Sequence, residues 1–216
     1  GIGLVIARTN ALLGPDDVLL HAGDVAWSPA ALRRYRDELR VREVYVAVGN
    51  HDDDDDLARV FGADRVFERF RVEVDGPGGL RRAVVDHYTP DTWRDSHSFA
   101  WALTGHTHGQ EDARRAPVPA WMLSLDVGVD THDYRPWLWH QELLPYFDRR
   151  TPAYAAWRTA TYGGPKGPGV MANPARRRAW GGRRHGQRPV PRPARLSAEQ
   201  MQQAPDYAIQ WQCQWA

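Results

Sequence analysis

Short apolar runs that end abruptly at glycine and polar residues place the strongest constraint on how this chain folds. Residues 18–22 are apolar and stop at a Gly-Asp pair, and residues 44–48 are apolar and stop at the sequence GNHD. The segment between them, residues 29–40, has apolar residues at helical spacing, with Ser28 as its N-cap. A strand, a loop, a helix and a second strand in this order predict an α/β layered fold.

The same pattern recurs further along the chain. Residues 65–75 and 80–86 are predicted to be two strands around a Gly-Pro-Gly-Gly turn, which indicates a hairpin that ends at His87. Residues 99–103 form another apolar run, which stops at the sequence GHTH, and residues 121–129 are predicted to be a further strand. The polar clusters therefore follow the carboxyl ends of strands, where open α/β sheets place their ligand sites.

These clusters supply a set of side chains suited to a divalent cation. They offer one carboxylate, one carboxamide and three imidazoles, from Asp24, Asn50, His87, His106 and His108. Imidazole nitrogen combined with carboxylate and amide oxygen suits ions such as Mn²⁺, Fe²⁺ and Zn²⁺. The sequence therefore predicts a metal site, while each residue taken singly is also compatible with an ordinary loop or cap position.

The order and spacing of these clusters resemble the calcineurin-like metallophosphoesterases. The likeness rests on GDVAW at 23–27, GNHD at 49–52, a lone His87 after a strand, GHTH at 105–108 and DVGVD at 126–130. It is strongest for the small stand-alone bacterial and phage members. The resemblance implies a four-layer αββα sandwich, in which two packed sheets are flanked by helices, and an enzyme that hydrolyses phosphate mono- or diesters.

The resemblance also implies a role for each residue of the metal set. Asp24 would bridge two divalent ions, which in this family are Mn, Fe, Zn, Ni or Mg. Asn50, His87 and His106 would complete the second metal site, and His108 would reach across to the first. The two ions would activate a hydroxide for attack on the phosphorus of a phosphorylated small molecule or a nucleotide-type substrate.

Three further residues are candidates for catalysis or substrate binding. By resemblance, His51 would act beside the scissile phosphate as an acid or charge stabiliser, oriented by Asp52. Asn50 and His51 would also contact the substrate. His97, in the loop before the GHTH cluster, is a candidate substrate contact, with a plain surface loop as the alternative. His21, inside the first predicted strand, is expected to lie in the core or behind the ligands.

The sequence departs from the family pattern ahead of Asp24. Family members open with a strand that ends in Asp-x-His and supplies two ligands of the first metal, and no such motif precedes Asp24. This predicts an N-terminally truncated domain with one well-formed metal site, an exposed sheet edge and little or no hydrolytic activity. A non-catalytic phosphate- or nucleotide-binding protein that retains one metal is the alternative.

Charge and composition divide the chain near residue 148. Residues 149–216 carry twelve basic and two acidic residues, a net charge of +10, whereas the first 148 residues carry about −9. We predict a metallophosphoesterase-like domain over 1–148 and a disordered tail rich in Arg, Pro and Gly over 149–216. Such a tail would bind nucleic acid electrostatically or, in the simpler interpretation, remain solvated.

Cysteine, hydropathy and tryptophan give three further expectations. The single Cys213 excludes a disulfide within one chain and favours a cytoplasmic protein. The sequence has no run of about 18 apolar residues that would span a membrane. Trp27, Trp93 and Trp101 lie near the motifs, which suggests either a nucleobase pocket or packing in the core and at its rim.

Overall fold

The computed structural model describes residues 1–75, 79–110, 122–163 and 207–210, which form a mixed α/β structure, as predicted. The helices in these ranges are α1 (Ile2–Leu12), α2 (Pro29–Glu38), α3 (Asp54–Phe61) and α4 (Leu144–Tyr162). None of them combines the length and the apolar composition needed to cross a membrane. The strands are β1 (Val18–His21), β2 (Glu43–Ala47), β3 (Val66–Phe67), β4 (Arg69–Val74), β5 (Arg81–Asp86), β6 (Trp101–Thr104), β7 (Ser124–Asp126), β8 (Trp137–Leu138) and β9 (Tyr207–Gln210).

The strands form two sheets, each of them mostly parallel. The first sheet has the order β3-β2-β1-β9-β8, in which β8 runs antiparallel to β9. The second has the order β4-β5-β6-β7, in which β4 and β5 form the hairpin that the sequence predicts. Because β1 lies beside β2 and β5 lies beside β6, each sheet brings two of the strand ends that carry motifs together.

The two sheets share one apolar core. Leu20 and Ile209 of the first sheet belong to the same buried cluster as Phe70 and Trp101 of the second. Phe147 of α4 stacks on Trp101 with ring centroids 4.3 Å apart. Burial of these aliphatic and aromatic side chains ties the second sheet and α4 to the first sheet.

Helices cover the opposite face of the first sheet. Leu19 on that face shares a second buried cluster with Val5 of α1, Leu32 of α2 and Leu57 of α3. Successive residues of a strand point to opposite faces, which is why Leu19 and its neighbour Leu20 lie in different clusters. The described part of the chain is therefore layered as helices, sheet and sheet.

Capping residues explain where α2 and α3 begin. The Ser28 side chain accepts a hydrogen bond of 3.2 Å from the backbone N–H of Ala31, and Pro29 occupies the first turn of α2. Asp53 caps α3 in the same way through the N–H of Asp56, at 2.9 Å. Each helix starts a few residues after a strand-end motif, so the caps also fix the loops that carry the motifs.

The C-terminal segment differs from the prediction in two places. Residues 149–162 continue helix α4, so the domain boundary placed at residue 148 falls inside a helix. Residues 207–210 form β9, which lies between β1 and β8. The prediction of a disordered tail over 149–216 is wrong for both segments, while residues 164–206 and 211–216 lie outside the described residues.

The expectation of an exposed sheet edge beside β1 is also wrong. β9 pairs with β1 in parallel, with Ile209 opposite Leu20 and Gln210 opposite His21. Ile209 is buried in the core between the sheets, and Ala208 packs on the helical side. A four-residue segment from far along the chain therefore covers the edge of β1.

A buried polar contact fixes the register of β9. The Gln210 side chain is fully buried. Its Oε1 accepts a hydrogen bond of 3.2 Å from the Thr9 hydroxyl, and its Nε2 donates to the hydroxyl of Tyr35. Burial raises the pKa of Tyr35, so the phenol stays protonated. A slip of one residue would leave these buried polar groups without partners, which costs about 1–3 kcal/mol for each group.

Replacement of Ile209 tests whether β9 belongs to the folded core. We expect Ile209→Ala to lower the free energy of unfolding by about 2–5 kcal/mol, because it removes a side chain buried between the sheets. Urea denaturation followed by circular dichroism measures this change. The matched control is Leu4→Ala, which removes a side chain that is 41% exposed and should change the stability by less than about 0.5 kcal/mol. Equal stability of both variants would contradict the placement of β9.

Candidate metal centre

The carboxyl ends of four strands bring the predicted ligands together. Asp24 follows β1, Asn50 follows β2, His87 follows β5, and both His106 and His108 follow β6. Single ligand atoms of Asp24, His87 and His106 all lie within 4.8 Å of one another. Asp24 and His87 are buried and His106 is exposed. We call these three residues the ligand cluster, and its exposed member opens it to solvent.

The hydrogen bonds of His87 explain why the ligand cluster suits a cation. Nδ1 of His87 lies 2.8 Å from the carbonyl oxygen of Ala22, which only accepts hydrogen bonds, so Nδ1 carries the proton. In the neutral form of the ring the lone pair would then be on Nε2, which lies 2.9 Å from Oδ1 of Asn50 and 3.4 Å from Oδ2 of Asp24. One nitrogen and two oxygen atoms that are able to bind a metal therefore lie together, an arrangement that a divalent cation would stabilise.

Three of the seven non-glycine residues with a positive φ in the described ranges are predicted ligands. Asp24, His106 and His108 have φ angles of 53°, 73° and 53°, in the left-handed region that residues with a side chain rarely adopt. Such strain persists where the surrounding structure imposes it, and it is concentrated at functional sites. Partial burial, together with the neighbouring His87, lowers the pKa of His106 and favours the neutral ring that can bind a metal.

A carboxylate that the sequence analysis left without a role orients His108. Nδ1 of His108 lies 2.6 Å from Oδ2 of Asp130. A carboxylate at Nδ1 fixes the proton there and leaves the lone pair on Nε2, as for many histidines that bind metals. His108 is not part of the compact ligand cluster. Asp130 belongs to the DVGVD segment, but nothing in its local sequence indicates a contact with a residue 22 positions away.

Asp126, in the same segment, holds the loop that carries both histidines after β6. Its carboxylate accepts hydrogen bonds from the Thr107 hydroxyl at 2.5 Å and from the backbone N–H of Gly109 at 3.1 Å. It also accepts one from the N–H of Gly128 at 2.9 Å. One buried carboxylate therefore connects the GHTH loop to the end of β7.

Two glycines allow the loops after β1 and β2 to touch. A Cβ atom on Gly49 would lie 2.2 Å from Oδ1 of Asp24 and 2.4 Å from its backbone nitrogen. Gly23 has a φ of 93°, and a Cβ there would lie 2.7 Å from Nδ1 of His87. These contacts are too close for a side chain at either position, so glycine is required for the ligand cluster to assemble.

Asp52 joins the same two loops. Its carboxylate accepts hydrogen bonds from the backbone N–H groups of Asp24 at 2.7 Å, Val25 at 2.8 Å and Gly49 at 2.9 Å. Burial raises the pKa of Asp52, and the three hydrogen bonds oppose that shift. The expectation that Asp52 orients His51 is wrong, because the Asp52 side chain bonds to the backbone of the loops instead.

His51 is held by its own backbone and by an aromatic neighbour. Its N–H donates a hydrogen bond of 3.0 Å to Oδ1 of Asp24. Its ring lies against the indole of Trp27, with ring centroids 3.9 Å apart and an angle of 45° between the planes. Both side chains are exposed, so His51 stands at the rim of the ligand cluster and faces solvent.

Two other histidines are not members of the ligand cluster. His97 precedes the amino end of β6, whereas the GHTH residues follow the carboxyl end of that strand. The ring centroid of His97 lies 4.9 Å from that of Tyr162. The structure therefore does not bring His97 to the other predicted site residues. His21 is fully buried, and its burial together with the nearby His87 lowers its pKa to about 3. It is a neutral histidine of the interior, as expected.

The three tryptophans near the motifs have different surroundings. Trp93 and Trp101 are buried in apolar clusters, so the expectation of core packing holds for both. Trp27 is 49% exposed. Of the three, only Trp27 presents its ring to the solvent beside a predicted site residue.

Replacement of Asp52 tests whether it holds the two loops together. We expect Asp52→Ala to lower the free energy of unfolding by about 3 kcal/mol, because three backbone N–H groups lose a charged acceptor. Asp55→Ala is the matched control: Asp55 is an exposed member of the same acidic run, in the first turn of α3. Its loss should cost less than about 1 kcal/mol. Similar urea midpoints for the two variants would contradict the assigned role of Asp52.

Titration with Mn²⁺ tests the ligand cluster. We expect calorimetry to detect one tightly bound ion per chain, and we expect His106→Ala to weaken its binding by at least about tenfold, because a ligand is lost. His97→Ala removes an exposed histidine from the other end of β6 and should leave the affinity unchanged. Equal affinities for both variants would exclude His106 as a ligand.

Comparison with known proteins adds little about the function. The sequence matches no protein-family model and no curated protein. Among solved structures, it is similar to the protein of unknown function AQ665 from Aquifex aeolicus, with 21% sequence identity. The match covers 62% of this chain and 78% of that chain, with a TM-score of 0.45. The chain spans most of the length of AQ665, but a likeness at this level carries no argument about activity.

Proposed function

We propose that this chain is a metal-dependent phosphoesterase, which hydrolyses phosphate mono- or diesters at the ligand cluster. The observation that carries the proposal is the position of Nε2 of His87, which lies 2.9 Å from Oδ1 of Asn50 and 3.4 Å from Oδ2 of Asp24. A divalent cation such as Mn²⁺, Fe²⁺ or Zn²⁺ matches this mixture of nitrogen and oxygen donors. The opening of the cluster to solvent gives a phosphate ester access to it.

The residues that would hold the ion are Asp24, Asn50, His87 and His106. When bound, such an ion neutralises phosphate oxygens and makes a nearby water more acidic. The protein provides the rest: the Ala22 carbonyl holds His87 in the tautomer with its lone pair on Nε2. Because the His87 ring is already fixed, it would lose little conformational freedom on binding the ion, so the site is preorganised.

His51 is the residue best placed to act on the ester itself. Its backbone is bonded to Asp24, and its exposed ring is held against Trp27 beside the ligand cluster. An imidazole in this position is able to donate a proton to the leaving oxygen or a hydrogen bond to a phosphate oxygen. We assign that role to His51, with the Trp27 ring rather than Asp52 setting its position.

His108, oriented by Asp130, would belong to the first metal site of the family pattern, with Asp24 shared between the two sites. The 2.6 Å contact between His108 and Asp130 supports this assignment, since a carboxylate partner is typical of histidines that bind metals. This first site would have fewer protein ligands than the second among the residues named here. Weak occupancy of that site and low activity therefore remain our expectation.

The layered arrangement also favours the metallophosphoesterase sandwich as the specific fold. Two sheets share a core, helices cover one outer face, and the motifs follow strands of both sheets. We expect the substrate to be a phosphorylated small molecule or nucleotide, as the resemblance of the motifs implies, and to reach the strand ends from solvent. The loops around the cluster would then select the group attached to the phosphate.

Hydrolysis of bis-p-nitrophenyl phosphate tests the proposed function. We expect slow release of p-nitrophenol that depends on added Mn²⁺, and we expect His51→Ala to reduce kcat by about 10²–10⁴-fold, because a proton donor is lost. The affinity for Mn²⁺ should not change in this variant, since His51 is not among the ligands. His97→Ala serves as the matched control and should retain full activity.

The outcomes of this assay separate the enzyme from a binding protein. Release of p-nitrophenol that does not depend on Mn²⁺ or on His51 would contradict the proposal. One bound Mn²⁺ per chain without any turnover would favour a non-catalytic protein that binds phosphate or nucleotides through the ion.

A further inference from the structure

Two exposed aromatic side chains stand beside the ligand cluster. Only a few large apolar side chains in the described ranges are exposed, and Trp27 and Tyr88 are among them, at 49% and 50%. Each of the two lies against the ring of a predicted site histidine. Aromatic rings at the mouth of a polar site are typical of ligand contacts.

Trp27 is fixed on the side of His51. It directly precedes Ser28, the N-cap of α2, so the start of that helix holds its backbone. Its indole lies 3.9 Å from the His51 ring, measured between centroids. The exposed half of the indole therefore lies next to the residue that we expect to act on the ester.

Tyr88 is fixed on the side of His106. Its backbone N–H donates a hydrogen bond of 3.1 Å to the Asp86 side chain, at the end of β5. The centroid of its ring lies 4.8 Å from that of His106 and 5.0 Å from that of His87. Tyr88 therefore borders the same cluster as Trp27, next to different histidines.

We propose that Trp27 and Tyr88 form a binding site for a planar aromatic group carried by the phosphate ester, such as a nucleobase. The inference rests on the proposed function, because the ester must be held by the ion for its substituent to reach these rings. Every nucleobase has a flat π-face, and an indole or phenol ring is able to stack on any of them with little selectivity for the base. The acidic character of residues 1–148 offers no general attraction for a long polyanion, which favours a small ester.

The size of the expected effect follows from stacking. One base stacked on an aromatic side chain changes affinity by about tenfold or more. An ester with an aromatic group should therefore bind more tightly than the same ester without it, and loss of the Trp27 ring should remove most of this difference. Because both esters carry the same phosphate group, an indirect effect of the variant on phosphate binding through His51 cancels in this comparison.

Calorimetric titration of the Mn²⁺-loaded protein with AMP and with ribose 5-phosphate tests this inference. The two compounds share the ribose 5-phosphate group and differ by adenine. We expect AMP to bind about tenfold more tightly. Trp27→Ala and Tyr88→Ala should each reduce this difference in affinity between the two compounds. A second pair, phenyl phosphate and inorganic phosphate, shows whether any aromatic ring suffices or a nucleobase is needed.

Tyr162→Ala provides the matched control. Tyr162 is 55% exposed and also lies against a histidine ring, that of His97 at 4.9 Å, but away from the ligand cluster. This variant should bind AMP like the unmodified chain. Equal affinities for AMP and ribose 5-phosphate, or an equal loss in all three variants, would overturn the aromatic site and leave the phosphoesterase proposal intact. Failure of both compounds to bind would overturn the aromatic site, while the p-nitrophenyl assay would still judge the phosphoesterase proposal separately.

Discussion

The carboxylate of Asp52 connects the loops that follow β1 and β2, and the geometry of the ligand cluster depends on that connection. It accepts three hydrogen bonds of 2.7–2.9 Å from backbone N–H groups of the two loops. The close contact between Gly49 and Asp24 brings the loops near enough for one carboxylate to reach both. The carboxylate oxygens of Asp52 accept hydrogen bonds from these N–H groups instead of from water. Asp52 therefore fixes the predicted ligand Asp24 through the backbone.

β9 is connected to the same site through a single residue, Ala22. The N–H of Ala22 donates a hydrogen bond of 2.8 Å to the Gln210 carbonyl, and the Ala22 carbonyl accepts one of 2.8 Å from Nδ1 of His87. The position of Ala22 is therefore set by β9 on one side and fixes the His87 ring on the other. The segment expected to be a tail is therefore linked to His87, a predicted metal ligand, through the hydrogen bonds of one residue, Ala22.

The parts of the fold that could be predicted from sequence are those with local signals. The apolar runs of β1 and β2, the N-cap Ser28 and the hairpin of β4 and β5 lie where expected, and so do the strand ends that carry the ligands. β9 was missed because a strand of four residues in a segment rich in Pro, Gly and Arg has no local signature. Its place is set by contacts of Gln210 with residues more than 170 positions away. The partners of Asp52 and His108 were missed for the same reason, since both are contacts between loops.

Coupling between the C-terminal strand and the ligand cluster runs in both directions. A cation would relieve the repulsion among the donors around Nε2 of His87, and the free energy of its binding would add to the stability of the strands that position them. Because Ala22 is bonded both to Gln210 and to His87, the pairing of β9 with β1 and the position of His87 depend on the same residue. If binding of a cation strengthened this pairing, thermodynamic linkage would require the pairing to strengthen cation binding by the same factor. Completion of the sheet would then favour the proposed metal site, and the ion would favour completion of the sheet.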